Sequence, residues 1–274
     1  MDLLEFEVAL RGGVFLSVFA VLALWERLAP VRALRLSRTR RWPANLGLAL
    51  VSTLVVRLVV PGSAIALAAF ASAERWGLLN HAQLPRWVAI PVAIVALDLV
   101  VYLQHVLFHS IPALMRLHSV HHADPDFDLT TGVRFHPLEI LISLLIKLAA
   151  VAALGAPVLA VLIFELLLNA TAMFNHANVS LPNWLEPWVK RVVVTPDMHR
   201  IHHSVIEIER NSNYGFCLSV WDRLLGTYTQ APRGALDIGL LAWRDQRIVA
   251  TLRGTLGMPF RGHDARGVSD PPTR

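Results

Sequence analysis

Cysteine is almost missing from this chain. Cys217 stands alone among 274 residues, which excludes a disulfide framework and any site built from several thiolates. Charge is scarce as well: Asp, Glu, Lys and Arg make up 16% of the sequence, against about 25% in soluble domains. Neither a disordered chain nor an ordinary water-soluble globule fits that composition. The sequence holds no Glu-x-x-His, the carboxylate-bridged di-iron pattern of helix bundles, and no His-Glu-x-x-His of a zincin protease. It also lacks a dinucleotide fingerprint, a flavin motif and a c-type haem attachment site. A basic leader is absent too, since Asp2, Glu5 and Glu7 open the chain and no small-residue cleavage site follows. The first apolar segment therefore reads as a retained anchor and not a signal peptide.

What the chain does have is apolar length. Hydrophobic residues make up 55% of it, and the mean hydropathy is +0.51. A membrane-crossing helix needs roughly 20 mostly apolar residues, and four stretches offer them. The first runs from about Val8 to Leu28, with Arg11 near one end where it can snorkel. The second runs from Ala44 to Ser72, interrupted by Arg57, and the third from Trp87 past Leu103, interrupted by Asp98. The fourth, Leu138 to Phe174, is too long for one crossing and is broken at Gly155-Ala156-Pro157, which predicts a helical hairpin. The net charge of +5 then reflects the positive-inside rule and not nucleic acid as a partner. Arg27, Arg32, Arg35, Arg38, Arg40 and Arg41 crowd the loop between the first two stretches. That loop is expected in the cytoplasm and the N-terminus outside, so everything after the hairpin is cytoplasmic.

Charges inside apolar stretches need partners, because one at mid-bilayer costs at least about 2.5 kcal/mol. Depth matching pairs Arg57 with Asp98, and Lys147 with Glu165 across the hairpin. From Asn175 to Thr229 the chain is mixed and polar, with Trp184 and Trp188 placed for the interface. Residues from Arg253 to Arg274 read as a loose tail.

Histidine is the anomaly. Ten of the twelve histidines lie between His105 and His203, where about four would fall by chance. His105-x-x-x-His109 places two imidazoles one turn apart on a helix. His118-Ser-Val-His121-His122 and His199-Arg-Ile-His202-His203 repeat the pattern His-x-x-His-His. On a helix the first histidine of that pattern neighbours both others, while the adjacent pair diverges by about 100°. Such a pair suits two metal ions, one ring directed to each. His136 and His176 complete the candidate set, whereas His81 and His263 read as ordinary histidines. Imidazole ligation points to iron, zinc, copper or nickel and away from magnesium or calcium, and eight to ten rings exceed what one ion can use. A bis-histidine haem carrier and a histidine-rich metal-binding or transport protein are the alternatives to an enzyme.

The flanks of these boxes carry a family resemblance, from about Asp98 to Tyr228. They are Asp98-Leu-Val-Val-Tyr102 before His105, Arg134-Phe-His136-Pro137-Leu-Glu139, Asn175-His176-Ala-Asn178 and Thr195-Pro-Asp-Met-His199. Asn213-Tyr214-Gly215 and Trp221-Asp222-Arg223 follow. In these the chain resembles the integral-membrane fatty acid hydroxylase and sterol desaturase superfamily. The resemblance implies an all-α, multi-pass membrane bundle under a cytosolic, histidine-rich helical cap. It also implies two non-haem iron ions and oxygen-dependent hydroxylation or desaturation of a lipid C–H bond. Its metal ligands would come from His105, His109, His118, His121, His122, His136, His176, His199, His202 and His203. The chain departs from the pattern at Val106, where many members carry Arg, and at Ala172, where some carry part of a fourth paired box; His136 is assigned the vacant ligand place.

Beside the resemblance, unactivated C–H bonds call for a redox metal, and bound imidazoles need acceptors that fix their tautomers. Asp98, Tyr102, Asn175, Asn178 and Asp222 are the expected supports. The partners expected are a lipid from the bilayer and a separate electron-donor protein, cytosolic or membrane-bound. The chain divides into residues 1–86, two spans and the basic loop; 87–230, the catalytic domain; and 231–274, a tail. Its Arg- and Ala-rich composition points to a bacterial cytoplasmic membrane.

Overall fold

Prolines and glycines mark where the apolar stretches become helices. A computed structural model of the chain describes residues 3–60 and 62–261. The long elements are α1 (Leu3–Leu28), α2 (Arg38–Val59) and α3 (Ala64–Ala73), then, after short α4 (Leu78–Ala82), α5 (Arg86–Ser110). Next come α6 (Pro112–His122), α7 (Pro137–Leu154) and α8 (Val158–Asn175). Six short α-helices follow among the described residues: α9 (Glu186–Val189), α10 (Pro196–His202), α11 (Glu207–Arg210), α12 (Val220–Leu224), α13 (Gln246–Val249) and α14 (Leu252–Gly257). Among the described residues the β-structure is limited to two isolated bridges, Val193 with Leu218 and Ser204 with Ile238. Five segments are long and apolar enough to cross a membrane: Glu7–Leu28, Arg38–Ala82, Arg86–Ser110, Pro137–Leu154 and Val158–Asn175. The protein is an all-helical integral membrane protein.

Each arm of the hairpin is long enough to cross a membrane. Each arm has 18 residues, or about 27 Å of helix, close to the roughly 30 Å hydrocarbon core. Gly155 ends α7 with φ 61°, a left-handed turn that glycine adopts without strain. It lies against Gly77, where a Cβ would come within 2.1 Å of the Gly155 nitrogen. At this end of the bundle Ala64, Ala68 and Ala93 pack with Leu97, Val151, Ala160 and Phe164.

At the opposite end the arginine loop is folded into the cap. Buried Arg41 donates to both carboxylate oxygens of Asp124 at 2.7 Å and to Asp128 at 2.7 Å. The guanidinium beside it, acting against burial, holds Asp124 down at about 2. Arg35 pairs with Asp237 and Arg38 with Glu26, while the Arg32 guanidinium donates to the Leu236 carbonyl. The arginines of this loop thus tie it to residues 124–128 and 236–237.

Two expectations about intramembrane charge separate here. Lys147 does pair with Glu165, and Arg11 joins them, donating to both Glu165 and Glu7. Arg57 does not meet Asp98. Its side chain is exposed on α2, whereas Asp98 is buried and accepts from the backbone N–H groups of Cys217 and Leu218 and from Trp221 Nε1. Matching depth did not include facing direction. The tail is shorter than expected as well: Met258 is buried with Leu48, Val120, Trp243 and Val249, so the chain is packed to about Arg261. The remainder, with His263, lies outside the described residues. His81 is exposed on α4.

Candidate metal centre

Each His-x-x-His-His box is the last turn of a short helix begun by proline. Pro112 opens α6 and Pro196 opens α10, positions where the missing N–H is not needed. The Thr195 hydroxyl accepts from Met198 N at 3.4 Å, and His203 closes α10 as its C-cap. With the end of α5 and the end of α8, these turns converge on one buried volume. Nine histidines meet there in two groups whose candidate ligand atoms all lie within 4.8 Å of one another. The first group is His105, His109, His118, His122 and His202; the second is His121, His176, His199 and His203. Adjacent residues part company, His121 from His122 and His203 from His202, as helical geometry requires. Each box therefore serves both groups.

The donor chemistry fits a metal. All these rings are buried except half-buried His109. Burial takes His118 and His176 down to about 3. It drives His121, His122, His199, His202 and His203 well below the ordinary histidine range, with neighbouring imidazoles adding to the effect. Neutral rings are the ligating form. His105 donates through Nδ1 to the Tyr214 carbonyl at 2.8 Å, and His118 Nδ1 shares a 2.6 Å hydrogen bond with Glu139. With its proton committed to a carbonyl, His105 carries a bare Nε2 lone pair, 3.2 Å from His118 Nε2. His176, whose Nδ1 donates to the Ala172 carbonyl, likewise has one Nε2 lone pair, yet the Nε2 atoms of His121, His199 and His203 all crowd it, more than one hydrogen bond can satisfy. The Nε2 pairs His109–His122, His121–His176, His176–His199 and His176–His203 repeat that spacing at 3.0–3.2 Å. Two nitrogens about 2.1 Å from one ion and at right angles about it stand about 3.0 Å apart. His202 donates through Nδ1 to the Ser212 carbonyl, and its buried Nε2 has no hydrogen-bond partner.

His136 is not brought into either group. Its Nδ1 accepts from Leu138 N as the N-cap of α7, and its Nε2 lies 3.3 Å from the Leu256 carbonyl. The ring is spent on local structure.

The expected supports act at one remove. Asp222 accepts from the Tyr214 and Gly215 N–H groups and from the Thr227 hydroxyl, which also meets the Tyr102 hydroxyl at 2.7 Å. Asp98 and Asn175 hold Phe216–Trp221, whereas Asn178 is tied to Arg32 and Glu26 at the cap junction. Together, Asp222, Asp98 and Asn175 fix the loop whose carbonyls receive His105 and His202. The direct partners escaped the sequence reading: Glu139 on His118, Asn211 on His109 at 3.3 Å, and the Ala172 carbonyl on His176 at 2.6 Å. Glu139 lies in a quoted motif and was the findable one; main-chain oxygens leave no residue signal. Cys217 joins neither group, its sulfur lying 3.1 Å from the Thr171 hydroxyl.

A membrane bundle that gathers nine imidazoles into two groups at one end defines a class of membrane proteins equipped to bind a pair of metal ions. Residues 90–227 match the fatty acid hydroxylase family, and the chain belongs to that family of membrane lipid hydroxylases and monooxygenases. It is 28% identical over 273 residues to the ornithine lipid hydroxylase OlsE of Rhizobium tropici, covering 95% of this chain and 77% of the relative. It is 29% identical over 137 residues to the alkylglycerol monooxygenase of Homo sapiens, covering 50% of this chain and 29% of that protein. The corresponding Xenopus tropicalis enzyme is 30% identical over 128 residues, 46% of this chain and 27% of its own length. No solved structure matches the chain.

Proposed function

We propose that the two groups hold two non-haem iron ions and that the protein uses dioxygen to hydroxylate or desaturate a C–H bond of a polar membrane lipid. The gathering of nine histidines into two groups, with three Nε2 atoms crowded on the one Nε2 lone pair of His176, is the observation that carries this reading. An all-nitrogen donor set suits iron and other transition metals, and attack on an unactivated C–H bond selects one with redox chemistry. His105, His109, His118, His122 and His202 would hold one ion, and His121, His176, His199 and His203 the other. Bound iron supplies the reduction of dioxygen and the oxidising power for the C–H bond.

The chain's own part is to hold the rings neutral, fix their tautomers and exclude water. The Tyr214, Ser212 and Ala172 carbonyls each accept one Nδ1 proton and so aim the opposite nitrogen inward, while Glu139 and Asn211 meet the Nδ1 atoms of His118 and His109. His109, the half-buried member, marks the less covered edge of its group. Ornithine lipid and alkylglycerol, the compounds in the relatives' names, are both polar lipids, and an acylated amino-acid lipid is the first substrate to test. Electrons come from a separate donor protein, since the chain carries no nucleotide, flavin or haem motif. The setting is a bacterial cytoplasmic membrane, with the N-terminus outside, the cap in the cytoplasm and residues 87–230 as the catalytic domain.

Protein reconstituted in nanodiscs with ferrous iron should retain two irons per chain. With reductant and ornithine lipid it should consume dioxygen and form a product detectable by mass spectrometry. Reversible metal binding without oxygen uptake on any polar lipid would instead make it a metal carrier.

A further inference from the structure

The loop that supports the histidines sits lower than the histidines do. Asp98 is 12 residues from Arg86 at the outer end of α5 and His105 is 19 residues from it, so Asp98 lies about 18 Å and His105 about 28 Å along the helix. Asp98 nevertheless takes the N–H groups of Cys217 and Leu218 and the Trp221 indole. Thr171, about 20 Å along α8 from Val158, meets the Cys217 sulfur. Asp98 therefore places residues 217–221, and Thr171 independently places Cys217, about 10 Å below His105, within the length of the apolar spans. The segment pairs antiparallel with residues 192–194: Val194 N donates to Cys217 O at 3.1 Å and Ser219 N to Val192 O at 2.9 Å. Non-helical backbone at such depth is tolerated only where its polar groups are satisfied within the protein. Asp98 and this pairing do that here.

We infer that residues 184–192 and 217–225 form a collar embedded in the cytosolic leaflet, with anionic phospholipid as its partner. Trp184, Trp188, Val192, Leu224 and Leu225 are each more than half exposed. On α5, Leu103 and Leu107 are exposed as well. Basic groups border them. The Arg191 guanidinium lies 4.6 Å over the Trp188 ring and that of Arg223 lies 4.1 Å over Tyr228, while Arg223 also holds the Lys190 carbonyl. Tryptophan beside arginine and lysine is the composition of a membrane interface, and basic side chains there attract anionic headgroups. The inference rests on the spans and their depths and not on the metal chemistry, so its failure would leave the iron reading standing.

Nitroxide labels at Val192→Cys and Leu224→Cys, in a Cys217→Ala background and in phosphatidylglycerol-containing proteoliposomes, test the depth. Both labels should relax faster with oxygen than with a water-soluble nickel chelate, and a label at Ala231→Cys, in the exposed loop, should do the opposite. Where a label disturbs folding, the unlabelled Val192→Cys thiol should resist a membrane-impermeant maleimide until detergent is added. Native mass spectrometry of Lys190→Gln/Arg191→Gln should show several-fold lower retention of phosphatidylglycerol with phosphatidylcholine retention unchanged. Nickel access or thiol reactivity at 192 and 224 equal to that at 231 would overturn the collar, and unchanged phosphatidylglycerol retention would overturn its partner.

Discussion

Replacing Glu139 by Gln takes away a carboxyl group and touches one ring. The carboxyl shares a 2.6 Å hydrogen bond with His118 Nδ1, with both side chains buried, and His118 belongs only to the first histidine group. A carboxylate in that position orients the ring and strengthens its opposite nitrogen as a donor, and losing such a support costs about 10–100-fold in metal affinity. That equals about 1.4–2.7 kcal/mol. The second group has no carboxylate on any of its rings among the described hydrogen bonds, and its His176 leans on a main-chain oxygen that no substitution here removes. Glu139→Gln should therefore lower the affinity of one site and leave the other near its original value. Chelator titration with iron counted by mass spectrometry should resolve two classes of ion in the variant, one released about 10–100-fold more readily. Equal weakening of both ions, or no weakening of either in a protein that elutes as wild type, would refute the reasoning.

The remaining predictions concern separate parts of the molecule. His202→Ala and His203→Ala should each abolish lipid oxidation but weaken different ions, whereas His136→Ala should keep two irons and lose about 0.5–2 kcal/mol as a helix cap is removed; iron counts beside thermal melts distinguish them. Exchanging Lys147 and Glu165 should not restore stability, because Arg11 would then face a second cation, at a cost of about 2.5 kcal/mol or more; adding Arg11→Leu to the exchange should recover most of the melting temperature. Asp98→Leu leaves two backbone N–H groups and an indole without their acceptor, each worth about 1–3 kcal/mol, so the variant should melt early and lose iron even though no ligand is altered. Gly132→Ala brings a Cβ within 2.3 Å of the Ala172 oxygen, and should shift α8 and weaken His176's site, as metal titration would report.

Composition and spacing carried the membrane spans, the hairpin and the gathering of His118, His121, His122, His199, His202 and His203, because these depend on helical period and apolar length, which are local. Arg57 and Asp98 show where that stops. Depth along a helix can be counted from residues, but the direction a side chain faces is set by packing between helices. His136 shows the same limit from the other side: its position before Pro137 makes it a cap, and proximity in sequence to the boxes did not decide its role. The acceptors on Tyr214, Ser212 and Ala172 were illegible since they are main-chain atoms whose service depends on tertiary folding. Residues 253–261 hid their packing behind a composition typical of mobile ends.

The interleaving of the two boxes has a mechanical consequence. Because α6 gives two rings to one group and one to the other, and α10 does the reverse, the ions share their scaffolding like two bolts through the same pair of plates. A hinge or slide of either helix would loosen both at once. Movement of the backbone is therefore felt by both ions, even where loss of a single side chain is felt by one, and the two halves have little freedom to drift apart.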